Sequence, residues 1–233
     1  MAARDDQGKP LSERQIRDEI VTIFFAGHET GAAALTWTLY LLASHPEFAG
    51  RLTRAIEFDE ADNFIDRVLR ESMRLYPPAY RISRTVVETC RIGGTSVEAG
   101  AEVVIPQWAV HRSPRYYAAA DRFMPYRWTP DFTASLPHFA YFPFGGGPRT
   151  CIGNTFGMVE NKYIISRLLS RYEFATTPNT KAALHLGVTL LPLENSLKLK
   201  VTRKIAPLLP KLADRELAGA SGCPFHSEVQ HVS

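Results

Sequence analysis

The sequence predicts a mainly α-helical protein with a small β region, and three observations support this prediction. Residues 12–44 contain helix-forming side chains and no proline, which predicts a helix far longer than the usual length of about 11–12 residues. Shorter helical patterns follow before residue 76 and again over about 153–172. Extended, β-branched runs are confined to residues 84–110 and to a short stretch near 197–201.

The long helix begins at a capping signal. Ser12 followed by Gln15 is the pattern of a capping box, in which two side chains satisfy backbone N–H groups of the first helical turn. Pro46 ends the helix because proline has no backbone N–H to continue it. At 1.5 Å per residue, such a helix is about 48 Å long. Its most apolar stretch, 16–42, contains Glu29, and a mid-span acid is costly in lipid, so we expect a core helix and not a membrane span.

Two shorter helices are predicted after the long one. The first covers about 46–56 and the second about 63–75. Pro77 and Pro78 end the second helix, since the residue before a proline avoids the helical conformation.

The rest of the chain contains short strands and irregular segments. Residues 84–110 consist of β-branched runs broken by glycines, which is typical of strands. Residues 113–149 are rich in proline and aromatic residues, and an irregular segment of this length is usually functional. Alternation at 197–201 predicts a last strand. Prolines and glycines after Lys204 predict a folded unit over 1–204 and a loose tail over 205–233.

Composition excludes several classes of protein. The chain has 45% hydrophobic and 22% charged residues, and its net charge of +3 is too small to indicate nucleic-acid binding. Its three cysteines, Cys90, Cys151 and Cys223, form neither a disulfide framework nor a paired-cysteine zinc site. They suit a reducing compartment, so we expect a cytoplasmic protein. The first twenty residues are polar and charged, so neither a signal peptide nor an N-terminal membrane anchor is expected.

One ten-residue segment has the strongest chemical signal. It reads F-x-x-G-x-R-x-C-x-G, with Phe144, Arg149, Cys151 and Gly153 at the spaced positions and Gly145 inside the loop. Glycines allow backbone N–H groups to wrap around a sulfur atom, and a following helix presents its positive end. These surroundings favour a thiolate, which suits a proximal iron ligand. The alternative is a structural cysteine after a Gly-Pro turn.

A second motif lies midway along the long helix. Gly27, His28, Glu29 and Thr30 interrupt an apolar stretch, where an acid and a hydroxyl are costly unless they are used. Gly27 leaves room for a small ligand against the backbone, and Thr30 can donate to a carbonyl one turn back. The alternative is a buried polar pair that binds neighbouring helices.

A third pattern is E-x-x-R, formed by Glu71 and Arg74 on one helix face. Such pairs are common on protein surfaces, so the pattern alone indicates little. It lies upstream of a P-x-R-W stretch that contains Arg127. His111 follows a predicted strand, and we interpret it as packed or hydrogen-bonded and not as a metal ligand.

These motifs, in this order, resemble the cytochrome P450 family, the haem-thiolate monooxygenases. The resemblance covers about residues 4–204 and implies the C-terminal part of that fold, with the long helix crossing the haem and a small β region at one side. It implies that Cys151 is the axial ligand of haem b (iron protoporphyrin IX). Phe144, Gly145 and Gly153 would then belong to the haem-binding loop.

The resemblance also implies roles for the other motifs. Glu29 and Thr30 would organise proton delivery during oxygen activation, and Gly27 would open the oxygen-binding groove. Arg149 and Arg84 would bind the haem propionates, since a guanidinium fork suits carboxylates.

In the same family, the E-x-x-R pair is joined by the arginine of the P-x-R-W stretch. The matching residues are Glu71, Arg74 and Arg127. The resemblance implies that they form a buried ion cluster that supports the haem loop and takes no part in the chemistry.

The implied activity is insertion of one oxygen atom of O₂ into a small apolar substrate. Electrons would come from NAD(P)H through a reductase or ferredoxin partner. Two alternatives stay open: a haem-thiolate enzyme that uses peroxide, and an inactive haem-binding fragment.

The resemblance begins just before the long helix, and the stretch 54–62 is shorter than in the family. We therefore expect the C-terminal half of a bacterial-type member, as a truncated product. The long helix would then lack packing partners on its outer faces and expose an apolar patch.

Overall fold

The structure is a computed structural model that describes residue 4, residues 7–57 and residues 61–204. Within these residues the chain forms six α-helices and eight short β-strands. The helices are α1 (Glu13–Ser44), α2 (Pro46–Glu57), α3 (Ala61–Leu75), α4 (Gln107–Val110), α5 (Pro130–Ser135) and α6 (Asn154–Arg171). The predicted loose tail over 205–233 lies outside the described residues.

The predicted start of α1 is confirmed in detail. The Ser12 hydroxyl accepts a hydrogen bond from the Gln15 backbone N–H, and the Gln15 side chain accepts one from the Ser12 backbone N–H at 3.0 Å. This reciprocal capping box satisfies two donors of the first turn. The helix ends at Ser44, two residues before Pro46, as the sequence predicts.

The C-terminal half of α1 forms the main core with α2, α3 and α6. Trp37 is fully buried, stacks on Tyr76 with ring centroids 4.1 Å apart, and donates to the Leu190 carbonyl at 2.8 Å. Leu41 and Leu42 pack in the same cluster of buried side chains. Burial of this face, which is apolar, is the main stabilisation of such a helix.

The N-terminal half of α1 differs, because all residues from 12 to 29 are exposed. Phe24 and Phe25 are 62% and 71% exposed, and Ile23 is 66% exposed. The expected apolar patch is therefore present, but only on this half of the helix. The prediction of a core helix is correct from Thr30 onward and wrong before it, because the described elements cover only the C-terminal half.

Replacing Ile23 and Phe25 together by serine should reduce self-association of the chain without lowering its melting temperature. Both side chains are exposed, so their removal leaves no cavity, whereas an apolar patch of this kind promotes association. Analytical ultracentrifugation and thermal unfolding would measure the two effects. Unchanged sedimentation of the double variant would show that this face does not drive association. As a control, Leu41→Ser in the buried half of the helix should lower the melting temperature.

The strands form four antiparallel pairs in the described part of the chain, namely β1–β4, β2–β3, β5–β8 and β6–β7. Their bounds are β1 (Ile82–Thr85), β2 (Cys90–Ile92), β3 (Thr95–Val97), β4 (Glu102–Ile105), β5 (Tyr172–Thr176), β6 (Leu184–Leu186), β7 (Leu190–Pro192) and β8 (Leu199–Arg203). The sequence predicts the first four strands and the last one. It does not predict β5, which pairs with the distant strand β8, or β6 and β7, which are three-residue strands that pair with each other.

The prediction of strands up to residue 110 is wrong for residues 107–110, because these residues form the short helix α4. This turn follows Pro106 and places Gln107 and His111 one turn apart, both fully buried. Both side chains hydrogen-bond to the Phe142 backbone, a tertiary contact that can override the local β-propensity.

Candidate functional site

The cysteine segment forms a tight loop just before α6. Gly145 and Gly147 have φ angles of +75° and +71°, which residues with a side chain rarely adopt. The Cys151 N–H donates to the Phe144 carbonyl at 2.9 Å, so the loop closes on itself. Cys151 itself is exposed. The loop thus presents the thiol outward from a hydrogen-bonded backbone.

The surroundings of Cys151 suit a large apolar ligand with a soft metal. Gly153 is the N-cap residue of α6, and a Cβ placed on it would lie 3.9 Å from the Cys151 sulfur. Ile152 and Phe156 beside it are 99% and 72% exposed. An accessible cysteine sulfur bordered by exposed apolar side chains fits haem, whose flat ring requires apolar cover and whose iron accepts a cysteine ligand.

The motif in α1 lies where the helix passes from exposed to buried. Thr30 Oγ1 donates to the Ala26 carbonyl at 2.6 Å, as the sequence predicts, and Glu29 is exposed. A Cβ placed on Gly27 would meet no atom within 4 Å, so this side of the helix has open space. A Cβ placed on Gly31 would lie 3.7 Å from a Glu160 carboxylate oxygen, which puts the middle of α1 beside α6.

The two candidate propionate ligands are both exposed. Arg84 lies on β1 and donates from Nη1 to the Ser83 carbonyl at 2.7 Å. Arg149 lies in the turn of 3₁₀-helix over Gly147–Arg149, two residues before Cys151. Neither guanidinium is buried, so each is accessible to a ligand from solvent.

The structure brings Glu71, Arg74 and Arg127 together in one buried cluster. The Glu71 carboxylate accepts two parallel hydrogen bonds from Arg74, both 2.9 Å long, and a third from Arg127 Nε at 3.1 Å. Trp128 Nε1 and the Met124 N–H also donate to it, each at 2.9 Å. Five donors therefore compensate for the removal of this carboxylate from water.

Arg74 extends the cluster to the irregular segment. Its guanidinium donates to the carbonyls of His111 at 2.9 Å, Ala120 at 2.6 Å and Arg122 at 3.1 Å. It also lies 4.9 Å from the ring centroid of Tyr117, within range of a cation–π contact. A single side chain of α3 thus binds the end of α4 and two points of the Pro-rich stretch.

Sequence reasoning misses two members of this network. Trp128 occupies the last position of the P-x-R-W stretch, and its indole N–H binds Glu71 directly. Burial raises the pKa of Tyr117, so its hydroxyl stays protonated and donates to the Ala140 carbonyl at 3.0 Å. An aromatic residue with a polar N–H beside an arginine motif is the signal that could have identified Trp128.

His111 is hydrogen-bonded and packed, in line with the sequence interpretation. Its Nε2 atom accepts from the Phe142 N–H at 3.0 Å, and its ring lies against Tyr141 and Phe142. Burial and, secondly, the positive charge of Arg74 lower the pKa of His111 to about 3. The imidazole is therefore neutral near pH 7, with its proton on Nδ1.

This lowered pKa predicts an acid-sensitive fold. Between about pH 6.5 and pH 3 the unfolded chain binds a proton at His111 that the folded chain does not, so stability falls as the pH falls. From pH 7 to pH 5, the free energy of unfolding of the wild-type chain should decrease by about 2 kcal/mol more than that of His111→Gln. Urea unfolding at the two pH values measures the difference. Equal pH dependence of the two chains would contradict a neutral buried imidazole.

A cleft of about 480 Å³ borders the cysteine loop between α3 and α6. Asp66 on its wall binds Arg70, with 2.5 Å between Oδ2 and Nε, and lies 3.3 Å from Lys162. Two cations and one carboxylate therefore line the cleft, beside Phe144 and Gly145 of the loop. In the described residues, no helix is long and apolar enough to cross a membrane.

Comparisons with known proteins agree with these features. The sequence matches the family model described as Cytochrome P450 over residues 1–199. Protein LUTEIN DEFICIENT 5, chloroplastic, of Arabidopsis thaliana is 36% identical over 216 residues, which cover 86% of this chain and 36% of that protein. Cytochrome P450 4V2 of Homo sapiens is 33% identical, with coverage of 88% and 42%. Cyclooctatin synthase of Streptomyces melanosporofaciens is 36% identical, with coverage of 77% and 42%. The chain thus spans about two fifths of the length of these curated relatives.

Proposed function

Because the chain belongs to the cytochrome P450 family, we propose that it is the haem-binding part of a haem-thiolate monooxygenase with Cys151 as the axial ligand. The observation that carries the proposal is the exposed thiol of Cys151 on a glycine loop at the start of α6. Bound haem supplies the redox chemistry that activates O₂, so that one oxygen atom enters an apolar substrate and the other leaves as water. Electrons come from NAD(P)H through a reductase or ferredoxin.

The chain's residues hold the cofactor and its ligand. The loop hydrogen bond from Cys151 N–H to the Phe144 carbonyl orients the thiolate. Arg149 and Arg84 bind the propionates with their exposed guanidinium groups. Gly27 leaves the open space that a small ligand needs beside α1.

In this proposal, Glu29 and Thr30 deliver protons during oxygen activation. The Thr30 hydroxyl has one proton, which it donates to the Ala26 carbonyl in this structure, and two lone pairs for accepting a proton. Turning Oγ1 away from that carbonyl would direct the proton into the space beside Gly27. The exposed Glu29 carboxylate, one residue earlier, can exchange protons with water and restore the donor.

Thr30→Ala should retain haem binding and divert electrons from product to hydrogen peroxide, because the ordered proton donor is lost. The measurement is the ratio of product formed to electron donor consumed, in a preparation with catalytic turnover. Thr30→Ser, which keeps the hydroxyl, is the matched control and should behave like the wild type. An unchanged ratio in Thr30→Ala would assign the hydroxyl to helix packing.

The experiment that tests the proposed function is a titration of the full chain with haem, followed by the spectrum of its reduced carbon monoxide complex. A red-shifted Soret band of the thiolate type is expected. Failure to bind haem, or a band of the non-thiolate type, would contradict the proposal. Haem binding without turnover would identify an inactive haem-binding fragment, and turnover with hydrogen peroxide alone would identify a peroxide-using enzyme.

A further inference from the structure

The short helix α4 places two buried polar side chains against the segment that leads into the cysteine loop. Gln107 is the first residue of α4 and His111 is its C-cap residue, one turn later, and both have 0% exposure. Residues spaced by four lie on the same face of a helix, so both side chains point the same way. The residue they meet is Phe142, two positions before Phe144 of the loop.

The two side chains bind both backbone groups of Phe142. Its N–H donates to His111 Nε2 at 3.0 Å, and its carbonyl accepts from Gln107 Nε2. The same carbonyl also accepts from the Gly145 N–H at 2.9 Å, which closes the turn at the start of the loop. The position of Phe142 therefore sets the position of the turn at Gly145.

The turn at Gly145 continues directly to the cysteine. Within the loop, the Phe144 carbonyl accepts a hydrogen bond from the Cys151 N–H at 2.9 Å. A shift of the Phe142 backbone would thus move the turn at Gly145 directly and, through the chain, the Phe144 carbonyl that binds the Cys151 N–H. Arg74 stabilises the position of His111, because its guanidinium donates to the His111 backbone carbonyl at 2.9 Å.

His111 retains a polar atom that a purely packing residue would not need. Its buried Nδ1 makes no hydrogen bond of standard geometry in the described part of the chain, although hydrogen bonding to the Met73 backbone raises the pKa of the ring and partly offsets burial. A polar atom that is incompletely satisfied costs stability, which a good hydrogen bond elsewhere on the same ring can offset. Nε2 makes such a bond, because it accepts from the Phe142 N–H at 3.0 Å.

We propose that Gln107 and His111 are positioning residues that together clamp the Phe142 peptide and thereby set the geometry in which Cys151 is presented. The inference deepens the proposed function and rests on it for the identity of the group that Cys151 binds. The clamp acts through the backbone, and neither side chain touches the cysteine.

The test compares two substitutions at His111. His111→Phe keeps a ring of similar shape and removes the acceptor, whereas His111→Gln retains an acceptor oxygen. In the haem-free full chain, hydrogen exchange of the amides over 142–151 should be about tenfold faster in His111→Phe than in the wild type and restored in His111→Gln. His138→Phe, at an exposed histidine of the same segment, should leave exchange unchanged.

A second readout uses the bound cofactor. In His111→Phe loaded with haem, part of the red-shifted Soret band of the reduced carbon monoxide complex should convert to the non-thiolate band, and His111→Gln should restore it. Unchanged exchange and an unchanged band in His111→Phe would overturn the clamp.

If His111→Phe fails to fold, Gln107→Leu is the second test variant. It removes the hydrogen bond from Gln107 to the Phe142 carbonyl, while that carbonyl keeps its hydrogen bond from the Gly145 N–H. Faster exchange confined to 142–151 in that variant supports the clamp, and unchanged exchange overturns it. If the wild-type chain binds no haem, the proposed function fails, whereas the exchange measurements on the haem-free chain still test the clamp.

Discussion

Replacing Cys151 by serine should abolish the thiolate-type Soret band of the reduced carbon monoxide complex while leaving the fold intact. The side chain is exposed, so the substitution removes no buried contact. A serine hydroxyl is a harder and far weaker ligand for haem iron than a thiolate, because it stays protonated near pH 7. Absorption spectroscopy of the haem-loaded variant, with circular dichroism to verify the fold, measures the change.

The other cysteines are the matched controls for this experiment. Cys90 lies exposed on β2, and Cys223 lies outside the described residues. Cys90→Ser and Cys223→Ser should both keep the band. Loss of the band in Cys223→Ser, with Cys151→Ser unaffected, would overturn the assignment of the axial ligand.

Replacing Arg74 by alanine should lower the free energy of unfolding by about 3–5 kcal/mol. Glu71 would remain fully buried with only Arg127 as a charged partner, and three backbone carbonyls would lose their donor. This is a large share of the ~5–15 kcal/mol that stabilises a typical domain. Urea unfolding followed by circular dichroism measures the loss.

Arg70→Ala is the matched control, since Arg70 lies one turn earlier on the same helix and binds Asp66 in a partly exposed pair. Such a pair contributes under ~1 kcal/mol. If the two variants lost equal stability, the cluster at Glu71 would contribute no more than a surface ion pair. Because Arg74 donates to the His111 backbone carbonyl and its charge lowers the pKa of the His111 ring, substitutions of the two residues should not be additive.

Prediction of the fold from sequence succeeded where the signals are local. The capping box at Ser12 and the proline at position 46 bound α1, and both act within a few residues of the chain. The helix at 107–110 was missed because its four residues have no helical periodicity of their own. The strand β5 was missed because it pairs with the distant strand β8, and β6 and β7 were missed because each has only three residues.

For the candidate site, too, prediction from sequence succeeded where the signals are local. The cysteine loop lies within ten consecutive residues, so its glycines, Cys151 and the following helix could be identified from spacing alone. The partners of Trp128 and His111 could not be identified in this way, because the groups that these residues bind lie 57 and 31 residues away in the chain. Glu71 and Arg74 were singled out from sequence, but their burial depends on packing of the Pro-rich stretch against α3.

The sequence by itself determined the four longest helices, the loop around Cys151 and the family, because each depends on residue types at short, regular spacing. Only the tertiary structure decided which polar groups are buried and therefore need partners. It buried Glu71 with five donors, kept His111 neutral beside Arg74, and left the N-terminal half of α1 exposed. The physical reason is that desolvation is set by neighbours in space, and spacing along the chain does not specify them.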